Sequence, residues 1–105
     1  MSFIFLYIRF RSFGFRLLNQ ILEVAASLKT DNNEVAVSAI VKRNDELDNK
    51  GKQVNYFLKL KARNYNLGFI DHTNISSTYL NNSGLHLNPE GIDVLLNNFA
   101  NFIKL

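Results

Sequence analysis

Along this chain the spacing of apolar side chains changes period several times, and each change marks a predicted element. In "MSFIFLYIRF" the apolar run is unbroken from Phe3 to Ile8, with Phe3, Phe5 and Tyr7 at one parity and Ile4, Leu6 and Ile8 at the other. That pattern suits a strand buried on both faces. From Leu17 the step lengthens to three and four. Leu17, Leu18, Ile21, Leu22, Ala25 and Leu28 define an amphipathic helix ending near Lys29. After the turn residues "TDNNE", the segment Val35 to Val41 is apolar and largely β-branched at both parities, as expected of a central parallel strand.

The polar loop "KRNDELDNKGK" leads into a second helix, with Asp48 or Asn49 as its predicted N-cap. Val54, Phe57, Leu58, Ala62 and Tyr65 line its apolar face. Asn64 to Gly68 close it, and "LGFI" gives a short strand to Ile70. A loop of about fifteen residues follows, longer than most connections in compact domains, so it is either a functional site or disordered. Asn88 and Pro89 announce the last helix: a side-chain acceptor at the N-cap, then a proline where its missing donor costs nothing. Ile92, Leu95, Leu96, Phe99 and Phe102 form its predicted buried stripe.

The order strand, helix, strand, helix, strand, loop, helix predicts an α/β fold with a parallel sheet of two to three strands and right-handed crossovers. Sites in open α/β sheets gather outside the carboxyl ends of the strands. Three loops lie there: Arg9 to Phe15, Lys42 to Asp48, and Asp71 to Asn88.

Composition narrows the function classes. At 105 residues the chain is one domain at most, and an apolar fraction of 47% with nine Phe and four Tyr is enough to fill a core. The absence of Cys excludes disulfides, thiolate catalysis and Cys-ligated zinc, and fits a reduced intracellular compartment. Residues 1–18 stand apart, with Arg9, Arg11 and Arg16, six aromatics and no acid. Their apolar run is far short of the roughly 20 residues of a membrane span. An organellar presequence is the alternative to a strand there.

The formal charge is +3, and Lys50, Lys52, Lys59, Lys61 and Arg63 fall in one segment. A solvated helical face explains them better than nucleic-acid binding. The glycines are isolated and the two histidines have no metal-ligand spacing, so neither a cofactor nor a metal is expected.

Three segments carry a family likeness: "ILEVAASLKTDNNEVAVSAIVKRND", "LGFIDHTNIS" and "YLNNSGLHLNPEGIDVLLNNF". The stretch 19–105 resembles the C-terminal half of an SGNH (GDSL-type) hydrolase domain, most like the SGNH-like domains associated with animal transposable elements. The resemblance implies a partial flavodoxin-like three-layer α/β/α fold and esterase-type chemistry. It places His86 at the family's general base and Ser83 where an orienting Asp is usual. Loss of that orienting charge alone costs about 10⁴ in turnover in a serine protease. Asp71 is a conceivable substitute, and His72 an ordinary loop histidine.

The Gly-Asp-Ser nucleophile block and the Gly-Thr-Asn-Asp oxyanion block of that family are both missing. "KRND" at Lys42 to Asp45 lacks the glycine and follows the wrong strand, and Ser12, Ser38 and Ser76 have no nucleophile-elbow context. Removing a serine nucleophile costs about 10⁶ in turnover. The expectation is therefore a truncated hydrolase-like domain without independent catalysis. Its unpaired sheet edge should favour self-association or a partner chain. A non-catalytic interaction module and a decayed mobile-element reading frame are the alternatives.

Overall fold

The computed structural model describes residues 2–7 and 14–104. Its elements are β1 (Ser2–Tyr7), α1 (Phe15–Ser27), β2 (Asn33–Ser38), α2 (Asp48–Asn64), β3 (Gly68–Ile70) and α3 (Pro89–Ile103), with a single 3₁₀ turn at Ser77–Tyr79. The strands form one parallel sheet in the order β1-β2-β3. This is the expected α/β architecture with three strands. Ile8, the first carboxyl-edge loop up to Phe13, and Ser12 lie outside the described residues.

β2 is the axis of the fold. Val35 and Val37 face one side, where they pack with Leu18, Leu22 and Ala25 of α1 and Val54, Leu58 and Ala62 of α2. Leu22 and Leu58 are fully buried, worth about 1.5–3 kcal/mol each by transfer. Ala36 and Ser38 point to the other side, toward α3: a Cβ on Gly68 would meet Phe102 and Ala36. Helices thus cover both faces, as a parallel sheet requires.

The sequence expectations need correction at three places. β1 is not a strand buried on both faces. Its inner residues are only half-buried, because it is the edge of the sheet and no further strand among the described residues extends the layers beside it. α2 is not capped by Asp48 or Asn49. Leu47 occupies the cap, while the Asp48 carboxylate accepts from the Arg43 amide at 3.0 Å and so braces the preceding loop. The α3 stripe is only partly covered. Leu95, Phe99 and Phe102 are half-buried, but Ile92 and Leu96 are exposed, since β3 has three residues and offers little surface beneath them.

The start of α3 matches its sequence signature. Asn88 Oδ1 accepts from the Gly91 amide at 2.8 Å, and Pro89 holds the first helical position. Gly91 is buried against the preceding loop, where an added Cβ would sit 2.4 Å from the Tyr79 carbonyl oxygen. Replacing glycine by alanine inside an exposed helix is worth up to about 1 kcal/mol of stabilisation. Here the clash is with backbone, so Gly91→Ala should instead destabilise by about 1–3 kcal/mol. Urea unfolding followed by circular dichroism reads this; an unchanged or raised midpoint would show that α3 does not seat on Tyr79.

Candidate functional site

The loop from Asp71 to Asn88 is ordered rather than disordered. Ile75 and Leu80 are buried anchors, and the Asp71 carboxylate accepts from the Thr73 amide at 2.8 Å, a local loop cap. A bridge pairs Leu80 with Leu87, and the Asn81 amide donates to the His86 carbonyl at 2.8 Å, which closes the tip. Gly84 takes φ +71°, a left-handed conformation that glycine adopts without strain. Its carbonyl accepts from the Asn44 amide at 2.8 Å. The "KRND" segment therefore lies directly against the His86 loop, a proximity that the sequence comparison with the oxyanion block had no means to show.

His86 is exposed and lines a cavity of about 390 Å³ at the carboxyl edge of the sheet. Tyr7 at the end of β1, Ile40 to Arg43 after β2, and Leu80, Leu85, Leu87 and Ile92 complete the wall. No hydrogen bond joins the imidazole to another described residue. Ser83, in the position of the family's orienting acid, does not reach it. Its hydroxyl donates to Asn81 Oδ1 and accepts from the Leu85 amide, so it is committed to the turn. Asp71 lines a neighbouring cavity of about 490 Å³ with His72, and Ile40 to Arg43 form the wall common to both. The expected base is thus at an accessible edge, with neither a nucleophile nor an orienting acid bonded to it among the described residues.

The loop after β2 is held by charge. Asp48 receives Lys42 at 3.0 Å and Lys52 at 3.5 Å, and Arg43 pairs with Asp45 at 2.7 Å. Burial pushes the Asp48 carboxyl up, but the Arg43 amide and the Lys42 and Lys52 ammonium groups outweigh it and hold it below its ordinary value. The bond from the Arg43 guanidinium likewise lowers Asp45. Asn55 fixes the strand end, donating to the Ile40 carbonyl at 2.8 Å and accepting from its amide at 2.7 Å.

A second constellation went unnoticed in the sequence. His72 is buried, with Nε2 at 2.8 Å from Ser38 Oγ and Nδ1 at 3.0 Å from the Asn98 amide nitrogen. Asn98 in turn forms a reciprocal amide pair with Asn74, each bond 2.9 Å long. Serine, histidine and asparagine in a row have the outline of a nucleophilic triad. The chemistry runs the other way: Asn98 donates to Nδ1, so the ring hydrogen is on Nε2 and points at Ser38. Ser38 is also fully buried, out of reach of any substrate. The cluster instead pins the ends of β2 and β3 to α3. His72 is accordingly not the ordinary loop histidine expected. The signal available in sequence was its place two residues beyond the end of a strand, where side chains turn back over the sheet edge; Ser38 pairs with Ile70 in the register.

Among the described residues, no group of three His, Asp or Glu is placed to hold a metal ion, and no helix is long and apolar enough to cross a membrane. Comparison with family models, with curated proteins and with solved structures finds no match to this chain.

Burial holds the His72 pKa below its ordinary value, with the charge of Asp71 opposing. The folded state therefore binds its proton less readily than the unfolded chain, and stability rises with pH across the window between the lowered folded value and about 6.5. Wild-type protein should lose stability as pH falls from 7 toward 5. His72→Gln should be less stable at pH 7 by about 1–3 kcal/mol, from groups left unsatisfied, with the difference closing at pH 5. Paired urea titrations at the two pH values test this; a difference that stays constant would remove His72 from the pinning role.

Proposed function

We propose that this chain is the base-bearing half of an SGNH-hydrolase-like domain, with no ester hydrolysis of its own. The observation that carries the reading is the placement of His86. Its imidazole is solvent-accessible on a carboxyl-edge cavity, ahead of an Asn-Pro-capped helix, with no serine or carboxylate bonded to it among the described residues. The likeness of "GLHLNPEG" to the family's base-carrying block supports the same assignment.

In this role His86 accepts the proton of a serine hydroxyl supplied by another polypeptide segment as that oxygen attacks an ester carbonyl. It then returns the proton to the departing alcohol. Donors for the oxyanion must come from the same supplied segment, since the family's asparagine and glycine donors have no counterpart here. Without the carboxylate expected at Ser83, the imidazolium formed in the first step is poorly stabilised, so even the complemented site should be slow. The non-catalytic alternative, an interaction module, is favoured by one feature: the outer edge of β1 is unpaired among the described residues.

The purified chain should cleave p-nitrophenyl acetate no faster than its His86→Ala variant. Co-expression with the nucleophile-bearing half of an SGNH esterase, containing both the Gly-Asp-Ser and Gly-Thr-Asn-Asp blocks, should produce cleavage that disappears in His86→Ala. Efficient hydrolysis by the chain alone, or a folded two-chain complex in which His86→Ala changes nothing, would overturn the assignment.

A further inference from the structure

β1 is a six-residue edge strand, and nothing in its sequence guards it. Ser2–Tyr7 contains no charge and no proline, the residues that natural edge strands use to prevent pairing. The Ser2 amide donates to the Asn32 carbonyl, and the register runs in step from Ser2↔Asn33 to Tyr7↔Ser38. In a parallel pair each residue turns both of its backbone groups to the same side. Ser2, Ile4 and Leu6 therefore face β2, whereas Phe3, Phe5 and Tyr7 direct their amides and carbonyls outward.

Both flanks of this edge are also apolar. On one face a groove of about 310 Å³ runs between β1 and α1, floored by Ile4 and Leu6 and walled by Val24 and Leu28, which are exposed. On the other, Phe5 stacks edge-on against Phe99 and Phe102, and Leu96 beside them is open to solvent.

From these features we infer that the chain forms a two-fold homodimer by antiparallel pairing of β1 with β1 of a second copy, giving one continuous six-stranded sheet. The register follows from the outward groups. With the axis at Phe5, Phe5 opposes Phe5, and Phe3 opposes Tyr7 in both directions. Every outward amide and carbonyl of the strand then has a partner. Directly opposed residues in an antiparallel pair project to the same face, so Phe3, Phe5 and Tyr7 of both copies share the α3 face. Ile4 and Leu6 share the α1 face. The patch is its own complement, which is what a two-fold contact demands, and it closes after two copies.

This goes beyond the hydrolase reading and is independent of His86. The same edge is the one a supplied nucleophile-bearing half would pair with, so the homodimer is the form expected in its absence.

Size-exclusion chromatography with light scattering on the intact chain, at tens of micromolar, should give twice 12.1 kDa. Tyr7→Pro removes an outward amide at a half-exposed strand end without touching the bonds to β2, and should shift the mass to that of a monomer with an unchanged circular dichroism spectrum. Val24→Glu, which places like charges beside the shared groove, should do the same. A monomeric wild type, polydisperse higher assemblies, or a dimer unaffected by both substitutions would each overturn the inference.

Discussion

A parallel sheet has two faces that must both be kept dry and two edges that must be paired or protected. Three helices and three strands satisfy the first requirement around β2 and leave the outer edge of β1 unpaired among the described residues. Around the central strand the solution is complete: Val35 and Val37 are sealed by α1 and α2, and Ala36 and Ser38 by the α3 side. One strand further out the layers end. Phe3 to Leu6 are half covered, and the outer helix faces carry Val24 and Leu96 into solvent. The exposed apolar surface follows from the width of the sheet rather than from any one residue.

At the carboxyl edge polar pins add to the apolar covering. The Ser38–His72–Asn98 chain ties two strand ends to α3, and the Asp48 cluster with Asn55 braces the loop that follows β2. These groups sit at the carboxyl edge, where strand ends expose backbone and loops must be held in one shape. A pre-shaped edge is also what a chemical site requires, so structural and functional uses of this region share residues. Ile40 to Arg43 form the wall between the His72 and His86 cavities.

Much of the architecture was legible in the sequence because it rests on periodicity. The shift from two-residue to three- and four-residue spacing located α1, and the continuous "VAVSAIV" run located β2 at the centre. The Asn88–Pro89 pair fixed the start of α3 through a cap whose chemistry is local. What was not legible depended on distant partners. Nothing near Ile92 or Leu96 in sequence says that the sheet beneath them is too narrow to bury them. Asp48 looks like a helix cap until the Arg43 amide is seen to claim its carboxylate. His72 looks like a loop residue until Ser38, thirty-four positions earlier, is seen to face it. His86 was singled out by its local block, and the structure adds its neighbours: Tyr7 from the first strand and the "KRND" loop through Asn44.

The two histidines sit in opposite settings. His72 is bonded, buried and turned with its hydrogen toward a serine it cannot activate; His86 is accessible and is bonded to no serine among the described residues. On the proposed reading, then, no hydroxyl in this chain is nucleophilic. The most direct test is intact-mass spectrometry of the folded protein after exposure to a fluorophosphonate, which reacts with activated serines. The mass should remain that of the unmodified chain, whereas a stoichiometric adduct on Ser38, Ser83 or any other serine would contradict the account.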